Sequence, residues 1–401
     1  MLRHERDEPG TRDVSGQRIL VAMSGGVDSS VAAALLVQQG YDVVGATMKT
    51  FCYSGGEAHP KTCCGLDGIT DARRVSDMLG IPHYLFDVEE DFTRDVIDDF
   101  VAEYARGRTP NPCVRCNSNT KFQDLMQRGR RLGCDGIASG HYVRIDHSDS
   151  STPALYRGVD TSKDQSYFLW GLPTEMLPFL HFPLGDLTKT QVREQARALG
   201  LVTADKPESQ EICFVPTGDY RDLLEKRLET RHPALEPGLI VTRDAVVIGE
   251  HSGYANFTVG QRKGLGGGFS QPLYVIEIRA ESREVVVGTA EEGASEGVEI
   301  GEVNWLGTPP PVDSRILVQI RYRASAVPAM LRSTGGRFLL AFDEPQRAVT
   351  PGQSAVLFEG ERILGGGRIE RALVDERPTE EVGRAALGAP TRQILGGTPH
   401  A

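Results

Sequence analysis

Residues 19–30 read ILVAMSGGVDSS: an apolar run into Ala22, then Met23, Ser24, Gly25, Gly26, Val27, Asp28 and Ser29. The run is expected to form a strand that turns on its two glycines into a helix. At such a junction successive backbone N–H groups point into one small volume at a helix N-terminus. The amides and the helix dipole both favour negative charge there, so a phosphate chain is the expected occupant. Gly25 and Gly26 permit close backbone approach and unusual dihedrals. Ser24 and Ser29 add hydroxyl donors, and Asp28 offers a carboxylate to a magnesium ion bridging phosphates. The spacing is not that of the G-x-x-x-x-G-K-[ST] loop, and that loop's lysine is missing. The plain alternative is a small-residue turn without a ligand.

Outward from this run, strand and helix patterns alternate from residue 18 to about 140. Strands are expected at 18–23, 42–48, 83–88 and 136–139, and helices at 28–39, 69–79, 92–105 and 119–132. In the second helix Ala72, Val75 and Met78 or Leu79 share a face, and Gly80 then Pro82 end it. A further helix at 189–199 takes Thr188 as N-cap and stops at Gly200. The expected fold is a Rossmann-like, doubly wound parallel α/β sheet, with the opening loop at the carboxyl end of the first strand where ligands bind. After about residue 235 short β-rich runs take over: LIVT, AVVIG, PLYVIEIR, REVVVG, ILVQIRYR, RFLLAF, SAVLFE and RILGGG. Even spacing and Pro/Gly punctuation point to an antiparallel barrel or sandwich. The domains expected are 18–215 catalytic, 216–294 a small linking module and 295–371 a barrel. Tails at 1–17 and 372–401 are expected to be disordered.

The chain has 401 residues, 39% of them hydrophobic, and no apolar stretch approaches the roughly 18 residues that span a bilayer. The charged N-terminus lacks the apolar core of a signal peptide, so no membrane role is expected. Seven cysteines (Cys52, Cys63, Cys64, Cys113, Cys116, Cys134 and Cys213) argue against a secreted disulfide framework and for reduced thiols in a cytoplasm. A net charge of −11 speaks against nucleic acid, but residues 301–371 carry nine Arg against seven Asp plus Glu. A weakly basic module beside an acidic one can still grip phosphates locally.

Two further runs carry chemistry. In GRTPNPCVRCNSNTKF, residues 107–122, Pro110 and Pro112 stiffen an extended loop, and Cys113 and Cys116 stand three apart just before a helix. That pair suits a zinc half-site, a redox pair or two structural thiols. In KPESQEICF, residues 206–214, Cys213 lies between Ile212 and Phe214, as a small core residue or a working thiol.

The SGGVDS run resembles the loop of the PP-loop ATP pyrophosphatases, which cleave ATP to AMP and pyrophosphate to adenylate a substrate. Across about 18–371 the chain resembles the tRNA-specific 2-thiouridylases. The motifs that carry this likeness are MSGGVDSS, GRTPNPC..CN...KF, ASGHYVR, KDQSYFLW, ESQEICF, NFTVGQRKGLG, RYR and TPGQSAV. The resemblance implies ATP-dependent exchange of the C2 oxygen of the wobble uridine for sulfur. ATP and Mg²⁺ would serve, with persulfide sulfur as co-substrate. It also implies Cys213 as persulfide carrier, Cys116 as partner nucleophile, and tRNA and a sulfur donor (a cysteine desulfurase or relay protein) as partners. Such chemistry suits the residues: adenylation makes the oxygen a leaving group, and a persulfide is a competent nucleophile near neutral pH. Breaking its S–S bond needs a second thiol and leaves a disulfide.

By the same resemblance Ala22 to Ser29 wrap the ATP phosphates, and Met48 and Gly140 border the nucleotide. Asn111, Pro112 and Cys113 line the target base. His141 is a tRNA contact or a structural histidine. Lys163, Asp164 and Gln165 meet phosphate and base edges, or form a solvated turn. Arg321 and Tyr322 offer a guanidinium and a ring to an unpaired base. Read as strand residues, these two would face opposite ways. Gln353 is a further tRNA candidate. The chain departs from the family in having Cys113 where many members have aspartate; Cys116 remains the nucleophile because it directly precedes Asn117. Cys52, Cys63 and Cys64 with Cys113 could form a metal or iron–sulfur site, the alternative being free thiols and no metal. Other readings are another PP-loop thiolase, an adenylating ligase, and a catalytically silent RNA-binding protein.

Overall fold

The computed structural model describes residues 16–50, 66–149, 152–208, 212–215, 218–266 and 269–374. The expected tails, Cys52, Cys63, Cys64 and residues 209–211 therefore lie outside or largely outside the described residues.

The first sheet is built from β1 (Arg18–Ala22), β2 (Asp42–Lys49), β3 (His83–Asp87), β4 (Gly136–Ser139) and the short β7 (Leu180–His181), in the order β3-β2-β1-β4-β7. Each pairing in it is parallel. Alternation along β1 feeds two cores, as a strand covered on both faces requires. Leu20 packs with Leu125 and Ile137 on one side. Ile19 and Val21 pack on the other with Val31, Val192 and Ala196, from α1 (Val27–Gln38) and α7 (Lys189–Ala198). Thr188 and Gln191 close a capping box on α7. In α2 (Leu66–Leu79) Ala72 and Val75 are buried, whereas Met78 is exposed, so Leu79 completes the inward face.

Two helical runs start earlier than expected. The first is α3 (Glu89–Phe92), a π-helical turn (Thr93–Ile97) and α4 (Asp98–Ala105). The second is α5 (Pro112–Arg115), a π-helical turn (Cys116–Lys121) and α6 (Phe122–Arg131). Pro112 therefore opens a helix instead of extending a loop. At the first helical position its missing N–H is one that would lack an intrahelical partner anyway. Cys113 and Cys116 ride on these first turns.

After α8 (Arg221–Arg227), a small sheet of β8 (Gly238–Thr242), β9 (Val247–His251), β10 (Tyr274–Arg279) and β11 (Glu284–Gly288) runs in the order β10-β11-β8-β9. The third sheet joins β12 (Ala294–Trp305), β13 (Arg315–Gln319), β14 (Val327–Thr334), β15 (Arg337–Arg347), β16 (Ser354–Glu359) and β17 (Arg362–Leu373). Pairing of β12 with both β15 and β17 closes these six antiparallel strands into a barrel. A hairpin from the first half of the chain, β5 (Val143–Asp146) and β6 (Ala154–Arg157), extends this sheet through Tyr156 and Arg362.

A buried charge cluster ties α4 to the barrel. Glu103, 1% exposed, meets Arg108 Nε at 2.8 Å and Arg368 Nη1 at 3.2 Å. These are charge contacts in which neither N–H is aligned on the oxygen. Arg368 also donates to both oxygens of Asp99. Among the described residues, no helix is long and apolar enough to cross a membrane.

Candidate functional site

The loop at the end of β1 has the build its sequence implies. Gly25 adopts φ +71°, and a Cβ there would lie 2.0 Å from the carbonyl oxygen of Gly68, so only glycine fits. Gly26 is the N-cap of α1, and Ser29 and Ser30 hydroxyls both donate to its carbonyl. Ser24 N–H donates to Ser29 Oγ at 3.2 Å, and the two hydroxyls are 3.4 Å apart. Met23 is clamped to β2 at both ends: its N–H donates to Ala46, and Thr47 Oγ1 donates to its carbonyl. The opening N–H groups of α1 have no partner inside the helix. Gly140 follows β4, and a Cβ on it would sit 2.7 Å from backbone atoms of Asp28 and Ser29. Met48 lies near the end of β2 against the β1–β4 core.

The cation absent from the loop arrives from elsewhere. Lys189 Nζ lies 2.7 Å from each oxygen of Asp28, and Tyr142 OH donates to the same carboxylate at 2.7 Å. Lys189 also pairs with Glu208 Oε1 at 3.0 Å, while Lys163 holds Glu208 Oε2 at 2.7 Å. Lys206 donates to the Gly25 carbonyl at 2.9 Å and to Asp71 at 2.6 Å, fastening the loop to α2. Burial alone would raise the Glu208 carboxyl, but hydrogen bonds and charge from Lys163 and Lys189 outweigh it and hold the group below the ordinary range. The Tyr142 phenol is pushed far up by burial and by the adjacent Asp28, so it stays a donor. Sequence reasoning missed Lys189 and Tyr142, and noted Lys206 and Glu208 only as neighbours of another run. One signal existed: Lys189 opens a helix, where a cation opposes the dipole, so something else must hold it there.

The Lys163-Asp164-Gln165 turn is anchored by all three side chains. Asp164 accepts from Arg157 and from the Gly158 and Ser166 N–H groups. Gln165 Oε1 accepts from Tyr142 N–H at 3.0 Å. The turn stands beside the barrel, since Arg157 donates both to Asp164 and to Gln319 at the end of β13. Arg321 and Tyr322 do not belong to a strand, for β13 ends at Gln319 and both lie in the following turn. The opposite-face expectation therefore fails. Gln319 explains the break: its amide turns back to donate to the carbonyls of Arg321 and Tyr322. Tyr322 is half-buried, its ring 4.4 Å from that of Phe168. Arg321 is exposed.

Gln353 Nε2 donates to the carbonyls of Thr109 and Pro110, so its amide clasps the loop before Asn111 and Pro112. Asn111 caps α5 and lies within reach of the buried Tyr167 hydroxyl. His141 is 9% exposed, bonds Ser139 Oγ at 2.6 Å and packs between Phe122 and Phe182. Burial holds its imidazole neutral, far below its usual range. In this conformation its imidazole is packed among aromatic rings.

Cys113 is exposed, whereas Cys116 and Cys213 are half-buried. Both of the latter pack against one apolar cluster that contains Phe92, Phe100 and Phe214, although 97 residues separate them in the chain. Burial pushes the Cys134 thiol up, as for an inert core residue. Among the described residues no group of three or more His, Cys, Asp or Glu is arranged to hold a metal ion.

Residues 17–217 match the family described as tRNA methyl transferase HUP domain, 221–289 its PRC-barrel domain, and 295–369 an aminomethyltransferase beta-barrel domain. A tRNA-specific 2-thiouridylase MnmA of Carboxydothermus hydrogenoformans is 49% identical over 90% of this chain and 100% of its own length. The protein of the same name from Rhodospirillum centenum is 47% identical over 88% of this chain and 92% of its own. Among solved structures, a 4-thiouridine synthetase–RNA complex with bound ATP covers 53% of this chain and 49% of its own, at 16% identity and a TM-score of 0.33.

Proposed function

We infer the reaction from one premise, that this chain belongs to the tRNA-specific 2-thiouridylase family: it exchanges the C2 oxygen of the wobble uridine in a tRNA anticodon for sulfur, consuming ATP. The observation that carries the reading is that Cys116 and Cys213 both pack against one apolar cluster, in a chain that also presents a glycine-turned strand–helix loop at the end of β1.

In the first half-reaction the uridine oxygen attacks the α-phosphorus of ATP and pyrophosphate leaves. The α1 amides and the Ser24 and Ser29 hydroxyls receive the triphosphate, and Lys189 and Lys206 supply positive charge beside it. Asp28 with the two serine hydroxyls is a hard oxygen set of the kind Mg²⁺ takes alongside phosphates, and the ion would neutralise charge on the leaving group. In the second half-reaction the Cys116 thiolate attacks Sγ of the Cys213 persulfide. The terminal sulfur leaves as hydrosulfide, adds to C2 and expels AMP, and Cys116 and Cys213 end as a disulfide. An external reductant then restores both thiols.

A wobble base stacked in its loop cannot reach such a site, so it is flipped outward. Asn111, Pro112 and Cys113 line its path, Tyr322 offers a ring edge, and Lys163, Gln165 and Arg321 offer donors to the backbone. Gln353 acts by holding the Asn111 loop. A sulfur donor, a cysteine desulfurase or a relay protein, must load Cys213. The test is mass spectrometry of nucleosides from tRNA incubated with the protein, ATP, Mg²⁺ and a persulfide source. Sulfur gain on a uridine that depends on ATP is expected. AMP release without sulfur gain would move the activity to another activated substrate.

A further inference from the structure

Four side chains stand in a file of alternating charge. Lys163 Nζ lies 2.7 Å from Glu208 Oε2, Glu208 Oε1 lies 3.0 Å from Lys189 Nζ, and Lys189 Nζ lies 2.7 Å from Asp28. Their side chains are 34%, 26%, 11% and 31% exposed, enough burial for the charges to feel one another more than in open water. Asp28 belongs to the phosphate loop, and Lys163 to the turn proposed to meet RNA. Between them, one ammonium is shared by two carboxylates and one carboxylate by two ammoniums. Arg193 is a third cation at 3.8 Å from Glu208, its guanidinium donating to the Ala204 and Lys206 carbonyls.

We propose that this file couples the two substrates, with Glu208 as the positioning residue through which RNA and nucleotide each tighten the other's binding. An RNA phosphate that draws Lys163 away leaves Glu208 with Lys189 as its main partner. Lys189 then shifts its hold toward Glu208 and loosens from Asp28, whose carboxylate becomes available to the nucleotide and its cation. Run in reverse, a nucleotide engaging Asp28 returns Lys189 to Glu208 and releases Lys163 toward RNA. The two effects are one coupling free energy and must be equal in size. No bond is made or broken. The inference rests on the reading of this site as one for ATP and tRNA.

The experiment measures the affinity of α,β-methylene ATP, which resists cleavage at the reacting bond, with and without an anticodon stem-loop RNA. In the native protein RNA tightens the nucleotide about fivefold or more, and the nucleotide tightens RNA by the same factor. In Glu208→Gln that factor falls to about one while both ligands still bind. Glu208→Asp, too short to span both lysines, is expected to behave alike and serves if the first variant fails to fold. Undiminished coupling in either folded variant overturns the proposal, as does a native protein that binds both ligands independently. A native protein that binds no RNA overturns the thiouridylase reading itself.

Discussion

The Lys189 ammonium lies 2.7 Å from both carboxylate oxygens of Asp28, although 161 residues separate them. The loop proposed to hold phosphates has no lysine of its own, and the start of α7 brings one beside it. Lys189→Met is expected to slow AMP release about 10²- to 10³-fold, the usual loss for one charge-stabilising group. Pyrophosphate and AMP assays check this. A rate within about threefold of native would assign the charge to Lys206 instead.

The three thiols should separate cleanly. Cys213→Ser and Cys116→Ser are expected to keep tRNA binding and AMP formation but to abolish thiolation. Cys113 is exposed, so Cys113→Ser should retain thiolation within about threefold. Thiolation by Cys213→Ser would sink its assignment as persulfide carrier, and loss of tRNA binding as well would make it structural.

Gly140 tests the loop's geometry. A Cβ there would stand 2.7 Å from the Asp28 and Ser29 backbone, so Gly140→Ala must displace the first turn of α1. Nucleotide affinity is expected to fall about tenfold, roughly 1.4 kcal/mol. Equilibrium titration with ATP decides it; unchanged affinity would mean that the β4 end yields instead.

Glu103→Gln probes the junction of catalytic domain and barrel. It leaves Arg108 and Arg368 without their buried carboxylate, which is expected to destabilise the protein by about 3 kcal/mol. Denaturant unfolding measures it, and a change below about 1 kcal/mol would make the cluster expendable.

Buried histidines give the stability a pH dependence, His83 and His251 being lowered by burial along with the two that follow. Burial, with His147 nearby, lowers the His181 imidazole from 6.5 to about 4, and burial lowers His141 well below 6.5. Below about 6.5 the unfolded chain takes up protons that the folded one refuses, so stability falls with pH by up to about 1.4 kcal/mol per unit per group. For His181 the loss runs from about 6.5 down to about 4. His181→Gln should flatten the curve in that window; an unaltered slope would assign it to other groups.

Much of the catalytic fold was legible because its signals are local. The β1 run, the glycine pair and the helix after them are neighbours in sequence, and so are the Thr188 cap and its Gln191 partner. The β5–β6 hairpin was missed because its strands are short and their partner, β17, lies far along the chain. β14 was missed because Pro328 interrupts its pattern. Arg321 and Tyr322 read as strand because ILVQIRYR alternates, yet the Gln319 amide folds the chain into a turn first.

By itself the sequence determined the glycine turn between β1 and α1, the parallel sheet that carries it and the barrel texture. Backbone conformation and side-chain period are properties of contiguous residues. Only the tertiary structure decided that Lys189 and Tyr142 complete Asp28, that Glu208 joins Lys189 to Lys163, and that Cys116 and Cys213 share one apolar cluster. Ion pairs and packing act across a few ångströms of space, and chain separation carries no record of which distant groups the fold brings within that reach.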